Sequence, residues 1–447
     1  MGKGKFKLKG ILLYSLLFIV TYVVIFFPFL SRSLSTVWEI DGVGQYYPAF
    51  LYIGQFIRDF FSTGKFMSFD LRIALGEDVF SALNYYGFGD PLNIIAVFAT
   101  KSNGAMLFAF MFFLRLYLSG LAFMLYCKYM KLNERLIPVG AFVYVCSGYM
   151  FCACLMYIQF LSPLVYFPLL LWACEKFFKE KQWWWMTLIS AYAAACTMYL
   201  FYYAAIFLVV YALVRCIFLN SKESVNTNVL SRIKNVALDC IMCGIASALG
   251  VILAFPITYP SIKGILNSQR ANADIKATLT TLTYYKPRIP TIISFFKGFI
   301  PTYDEGVYFF HEIPVVSYVA IILLFISYFV LKNKTDRNKQ LLIAVVIGCI
   351  AYTLPITNIA FSGFADGSSY DRWIFMLAFL FSIVFICSFS DVIELKCKDK
   401  SRVYNIVSIA TIANVVIIGF LLYEVAGSNF RNAFIDKASV IKYVDSP

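Results

Sequence analysis

Residues 11–30 read ILLYSLLFIVTYVVIFFPFL, twenty positions without a charged side chain. About 20 apolar residues in helical form are what the hydrocarbon core of a bilayer requires. Further runs of this kind lie near 105–127, 137–156, 160–175, 183–199, 201–218, 236–257, 313–331, 341–356, 373–392 and 403–423, giving eleven expected spans. The stretch 183–218 is continuously apolar but too long for one helix. The aromatic group at 198–203, with Tyr199, Tyr202 and Tyr203, is read as the turn that divides it.

Composition agrees. Of the 447 residues 61% are apolar and 14% charged, whereas a soluble domain runs at about 45–50% and about 25%. This excludes a soluble enzyme, a disordered chain and a disulfide scaffold, and leaves an all-α polytopic membrane protein.

The net charge of +13 is read as basic cytoplasmic loops rather than a nucleic-acid surface. Lys3, Lys5, Lys7 and Lys9 precede the first run. Alternate loops carry Lys128, Lys131 and Arg135; Lys176, Lys179 and Lys181; Arg215, Lys222, Arg232 and Lys234; Lys332, Lys334, Arg337 and Lys339; Lys396, Lys398, Lys400 and Arg402. These short segments hold 22 of the 38 basic residues, which places the N-terminus inside and, after eleven spans, the C-terminus outside. No small-residue cleavage site follows the first run, so it is expected to remain as a span. Trp183, Trp184, Trp185 and Trp373 suit interfacial positions. The twelve cysteines fall in spans or inner loops. The pairs Cys152/Cys154 and Cys240/Cys243 lack the further ligands and polarity of a metal or redox site.

Three outer segments, about 31–104, 258–312 and 356–372, are too long to be turns. They hold most carboxylates and the single histidine, His311. In the first, Trp38-Glu39-Ile40-Asp41-Gly42-Val43-Gly44-Gln45-Tyr46-Tyr47-Pro48 precedes apolar residues at 46, 49, 50, 53, 56, 57, 60 and 61. That spacing predicts a helix with one apolar face, lying in the membrane interface. Further on, Tyr85-Tyr86-Gly87-Phe88-Gly89-Asp90-Pro91-Leu92-Asn93 reads either as a shaped polar pocket or as an ordinary exposed loop. No span carries a midplane carboxylate, which argues against proton- or sodium-coupled transport. No Walker-type loop is present. Arg115 is the one deeply placed charge, and such a residue is usually functional or paired.

These residues resemble a known family. Trp38, Asp41-Gly42, Gln45-Tyr46-Tyr47-Pro48, Gly64-Lys65, Gly76, Tyr85-Tyr86, Asp90-Pro91 and Asn93, together with the late Gly363…Gly367-Ser368-Ser369-Tyr370-Asp371-Arg372-Trp373, are similar to the bacterial YfhO membrane proteins. The resemblance covers essentially the whole chain. It implies a transmembrane bundle like that of GT-C glycosyltransferases over 1–423. It also implies transfer of a sugar from a polyprenyl-phosphate donor to a lipoteichoic or wall polymer at the outer face. Typical members run longer, so 424–447 is expected to be an extracytoplasmic tail opening a further outer domain.

Such chemistry needs a base for the acceptor hydroxyl and cations for the departing phosphate. The resemblance to GT-C enzymes, whose acid lies in the first outer loop close to span one, implies Asp41 as the first candidate base, with Asp90 the second; a helix-capping Asp and a turn Asp before proline are the plainer alternatives. Arg372 is the leading phosphate ligand, with Arg72, Lys286 and Arg288 behind it, though each could be a headgroup contact. Trp38, Tyr46, Tyr47, Tyr85 and Tyr86 offer ring faces to a sugar or prenyl chain, or belong to an interfacial belt. No cofactor is indicated. A divalent cation stays open, because Glu39, Asp41, Asp90 and His311 could converge, but their separations give no ligand spacing. A lipid-linked sugar flippase or polymer exporter, and a non-catalytic scaffold, are the competing classes.

Overall fold

A computed structural model describes residues 2–31, 33–73, 75–147, 149–150, 154, 157–223, 229–267, 323–330, 335–353, 357, 372–393, 405 and 434–436. Among these the chain is mostly helical. Five helices are long and apolar enough to cross a membrane: Gly104–Tyr129, Ile158–Glu180, Met198–Arg215, Lys234–Leu253 and Arg372–Ile393. They match five of the expected runs. Ile158–Glu180 is 94% buried and Arg372–Ile393 83%, so these two form the centre of the bundle; Lys234–Leu253, at 17%, lies on its outside.

Helix α1 (Gly2–Ser31) contains the opening run. Tyr14, Phe18, Tyr22, Phe26 and Phe29 recur at three- and four-residue spacing and are all buried. They face α4 (Gly104–Tyr129), where Tyr14 stacks on Tyr117 at 5.4 Å and Phe26 meets Phe113 edge-on at 5.0 Å. The opposite face, with Leu12, Leu16, Ile19 and Val23, is exposed, as a lipid-facing surface should be. Apolar burial gains little between helices in lipid, so contact geometry decides. Gly120 is an example: a Cβ there would collide with the Tyr14 hydroxyl.

Between α1 and α4 the first long segment builds a small polar domain. Strand β1 (Leu34–Trp38) leads into a π-helical turn, Gly42–Tyr46, and then α2 (Tyr47–Thr63). Proline at its start and Gly64 in the left-handed region (φ 67°) at its end delimit α2. Tyr47, Ala49, Phe50 and Ile53 form its buried side, as the spacing predicts. Strands β2 (Phe69–Asp70) and β3 (Glu77–Asp78) pair as a short hairpin. Helix α3 (Val79–Leu83), capped by the Asp78 side chain, and the 3-10 helix Pro91–Phe98 complete the segment. These strands depart from a purely helical expectation.

Several expected spans differ in detail. Helix α5 (Ile137–Val145) covers the first half of 137–156, and much of the second half lies outside the described residues. Helices α6 (Leu161–Glu180), α7 (Trp183–Cys196) and α8 (Met198–Glu223) follow. The break in 183–218 falls at Thr197, whose backbone is extended, not across 198–203; those tyrosines form the first turns of α8. Asn84 explains the position. Its amide donates to the Ala195 carbonyl at 3.1 Å and its oxygen accepts from the Met198 N–H at 2.9 Å, joining the two helix ends. Helices α9 (Val229–Leu253) and α10 (Phe255–Asn267) come next, then α11 (Asp336–Thr353), which overlaps 341–356, and α12 (Phe375–Ile393). Of 313–331 only 323–330 is described; nearly all of 403–423, most of 258–312 and nearly all of 356–372 lie outside the described residues.

The bundle has two chemically different ends. At one, Lys181 pairs with Asp239 at 2.7 Å, Lys176 with Glu180 at 3.1 Å, and Arg337 with Asp391 at 2.7 Å. Glu175, fully buried, binds Arg215, Lys179 and the Tyr211 hydroxyl. These groups belong to the basic loops. At the other end lie the first long segment and the starts of α6, α8 and α12. Strand β4 (Phe434–Asp436) pairs antiparallel with β1, so the tail returns to that same end.

Candidate active site

Asp41 opens the π-turn. Its backbone is helical (φ −72°, ψ −26°), and its side chain makes no capping hydrogen bond to the turn. The turn is tight: a Cβ on Gly42 would lie 3.0 Å from that of Trp38. The Asp41 carboxylate is half-buried and accepts from the Gln45 amide at 2.9 Å. Gln45 in turn accepts from the Tyr86 hydroxyl at 2.6 Å. The acid is therefore oriented by a relay anchored on the 84–90 loop, one residue of which, Asn84, also sets the α7–α8 break. π-Turns of this kind concentrate at functional sites.

Beyond Tyr86 lies a cup of aromatic rings. Tyr46 meets Tyr86 at 5.2 Å and Tyr157 at 5.4 Å, both edge-on. Trp38 meets Tyr157 at 5.4 Å, and Tyr85 touches Tyr86 at 5.3 Å and Tyr199 at 5.9 Å. The Tyr203 hydroxyl donates to that of Tyr199 at 2.6 Å. Arg372, at the start of the last central helix, places its guanidinium over the rings of Tyr199 at 5.2 Å, Phe160 at 5.8 Å and Tyr85 at 6.0 Å. Its backbone carbonyl accepts from the Tyr149 hydroxyl at 3.3 Å. Three rings around one half-buried cation fix its plane.

The phenols stay neutral. Burial pushes the Tyr46 hydroxyl well above its ordinary range, reinforced by Tyr85. Burial, then Tyr85 and Asp41, push Tyr86 up to about 12. Each is therefore a hydrogen-bond donor at neutral pH.

Sequence-selected residues thus converge here from three separate segments: Asp41, Trp38 and Tyr46 from the first, Tyr85 and Tyr86 from the next loop, Arg372 from the last. The others go elsewhere. Asp90, the second candidate base, is committed to the bundle. Its Oδ2 accepts from Arg115 at 2.9 and 3.2 Å and from Ser162 at 3.1 Å, and its Oδ1 from the Leu92 N–H at 2.9 Å. The two side chains of the pair are 0% and 3% exposed, which leaves the carboxylate committed to internal partners and without access to solvent. Arg72 forks onto Asp70 at 2.7 Å and lies over the Tyr52 ring; neither partner belongs to the cup. Those contacts, the Arg72 hydrogen bonds foremost, hold Asp70 well below the usual carboxylate range. Tyr47 packs edge-on against Phe108 at 5.7 Å in the core. Lys286, Arg288 and His311 lie outside the described residues. Among the described residues no group of three or more His, Cys, Asp or Glu is arranged to hold a metal ion; Glu39 is exposed.

Two cup residues, Tyr157 and Gln159, carry no mark in the sequence reading, and Tyr199 and Tyr203 figure there only as part of a turn. Gln159 had a usable signal, being a lone amide between two apolar runs. The Tyr199/Tyr203 pair, spaced by four residues, could have been read as one face of a helix.

The profile of a family described as bacterial membrane protein YfhO matches residues 13–441. No curated protein and no solved structure matches the chain.

Proposed function

The chain belongs to the YfhO family of bacterial membrane proteins, and from that premise we propose that it is a membrane glycosyltransferase of GT-C type, moving a sugar from a polyprenyl-phosphate donor to a cell-envelope polymer. The observation that carries this reading is the joining of an oriented carboxylate, Asp41, to an aromatic cup with a cation at its floor, Arg372. Asp41 takes the proton of an acceptor hydroxyl. The acceptor oxygen then bonds to the anomeric carbon as the bond to the donor phosphate breaks, and the phosphate keeps the electron pair. Arg372 matches the charge growing on the departing oxygens. One base and direct displacement invert the anomeric carbon.

The site faces outward in this proposal, with the N-terminus inside. The basic end of the bundle supports it. So does the β1–β4 pairing, which requires an even number of crossings between residues 38 and 434; the eleven-span count supplies ten. The exporter reading needs a polar path through the bundle, and the deepest charge, Arg115, is sealed against Asp90 instead.

The test is transfer itself. Purified protein in lipid, given labelled polyprenyl-phosphate sugar and a lipoteichoic or wall-polymer acceptor, should label the polymer with inverted anomeric configuration. Absence of labelling with every sugar and acceptor offered, from protein shown to be folded, would sink the proposal. In cells, a cysteine at Ser62 should react with an impermeant maleimide and one at Glu134 should not; the reverse pattern would overturn the orientation.

A further inference from the structure

The β2–β3 hairpin is built inside out. Its one buried side chain is a carboxylate: Asp70 is 6% exposed, accepts from the Tyr52 hydroxyl of α2 at 2.6 Å and takes the Arg72 fork. Side chains alternate across a strand, so an inward Asp70 turns its neighbours Phe69 and Leu71 outward, and both are exposed. The two share one surface, because a Cβ on Gly76 would lie 2.9 Å from the Phe69 ring and 3.3 Å from Leu71. Leu75, at the turn, is 97% exposed. Phe66, exposed just before the hairpin, extends the surface toward the end of α2, where it meets Phe60 edge-on at 6.1 Å. A strand that faces water on one side carries its polar residues there. This hairpin does the reverse, and contiguous exposed apolar surface marks a place that something covers.

Position in the fold identifies the cover. Helix α3, which follows the hairpin directly, is docked on α10: the Ser261 hydroxyl donates to the Phe80 carbonyl at 3.4 Å, and a Cβ on Gly264 would collide with the Ser81 hydroxyl. Only Ala254 separates α10 from α9, the least buried of the five long apolar helices. Exposed apolar side chains run from Ile252 and Leu253 at the end of α9 into Phe255 and Tyr259 of α10. The hairpin is thus fastened to the element on which the lipid-facing surface of the bundle ends. Its charges fit the same neighbour. Lys65 and Arg72 stand exposed among the apolar residues, as cationic side chains do when their stems lie in the interface and their heads reach headgroup phosphates. We propose that the hairpin rests in the bilayer leaflet on the site's side, as a shallow membrane anchor additional to the spans. The 17 residues of α2 put about 25 Å between this anchor and Asp41, so the helix that follows the carboxylate is tied to the bundle at one end and to the membrane surface at the other. The inference is independent of glycosyl transfer.

The experiment puts tryptophan on the hairpin. Full-length Leu71→Trp and Leu75→Trp proteins are reconstituted in phosphatidylglycerol–phosphatidylcholine vesicles whose lipids are unlabelled, brominated in the upper half of their acyl chains, or brominated near the chain ends. The emission added over wild type is the readout, since the native tryptophans are common to all samples. It should be blue-shifted, protected from iodide, and lose most of its intensity to the upper bromines with much less loss to the deep ones, as a depth of about 5–10 Å requires. Both side chains are exposed, so the fold should survive; if either melting temperature falls, Phe69→Trp, a ring-for-ring exchange on the same surface, replaces that variant. Added emission that is water-like, quenched by iodide and untouched by brominated lipid would overturn the anchor. Emission that is blue-shifted and shielded from iodide but insensitive to both brominated lipids would overturn it as well, because the cover would then be protein, a further part of this chain or a second copy. Stronger quenching by the deep bromines would place the hairpin within the hydrocarbon core and contradict an interfacial seat.

Discussion

Asp90 and Arg115 form a salt bridge inside the bundle, Nη2 to Oδ2 at 2.9 Å, from positions 25 residues apart. Asn93 accepts from the same nitrogen at 2.6 Å and donates to the Gly87 carbonyl at 2.7 Å. The ion pair thus ties the loop that carries Tyr85 and Tyr86 to α4 and, through Ser162, to α6. Asp90→Asn leaves the arginine charge buried and uncompensated, which should cost about 3–5 kcal/mol. Replacing both residues with apolar ones of similar size should recover much of that. Unfolding of purified protein in mixed micelles measures both, and an Asp90→Asn variant as stable as the wild type would show that the pair anchors nothing.

The sequence reading anticipated that Arg115 would be paired or functional, because a lone charge in an apolar run has few other fates. It could not name Asp90 as the partner, since the pairing depends on the 84–93 loop folding into the bundle. The same limit explains the α7–α8 break. Composition shows that 183–218 is too long for one helix, but Asn84, more than a hundred residues away, decides that it opens at Thr197. Tyr199 and Tyr203 were therefore read as a turn rather than as cup residues. Long apolar runs were legible because a bilayer demands them. The short helices α5 and α7 were not, because apolar composition continues where the helix stops.

Asp70 gives a pH signature outside the bundle. Its carboxyl is held below the usual range by Arg72, with the Tyr52 hydroxyl adding at 2.6 Å. A depressed folded value means the stabilisation is fully present above the unfolded value of about 3.9. It is lost as pH falls through the lower folded one. The stability gap between wild type and Asp70→Asn should therefore be widest near neutral pH and shrink steadily below about pH 4. Added salt should narrow it too, because the Arg72 side chain is 57% exposed. A gap that grew on acidification would contradict the pairing.

Arg372 lies against the ring planes of Tyr199, Phe160 and Tyr85. Lysine keeps the charge but cannot lie flat against Tyr85, Phe160 and Tyr199 or fork onto phosphate oxygens. A charged hydrogen bond contributes about 1.5–3 kcal/mol. Arg372→Lys should thus raise the donor KM roughly 10-fold or more with a smaller effect on turnover, and Arg372→Ala should affect both. Unchanged donor KM and turnover in Arg372→Ala would remove it from the phosphate role.

Asp41 is the residue on which the chemistry turns. Gln45 holds one carboxylate oxygen at 2.9 Å, leaving the other for the acceptor hydroxyl, and Tyr86 holds Gln45. Asp41→Asn keeps the size and a hydrogen-bonding oxygen but cannot take the proton. A general base typically contributes about 10²–10⁴-fold in rate, so kcat for transfer should fall by that order. Donor affinity and melting temperature should stay near wild type, because neither Arg372 nor the ring cup loses a contact. Gln45→Leu should give an intermediate loss, since it frees the carboxylate to turn without removing it. Folded Asp41→Asn protein that transferred sugar at the wild-type rate would end the case for Asp41 as the base, and with Asp90 locked on Arg115 it would require an acceptor activated by some other group.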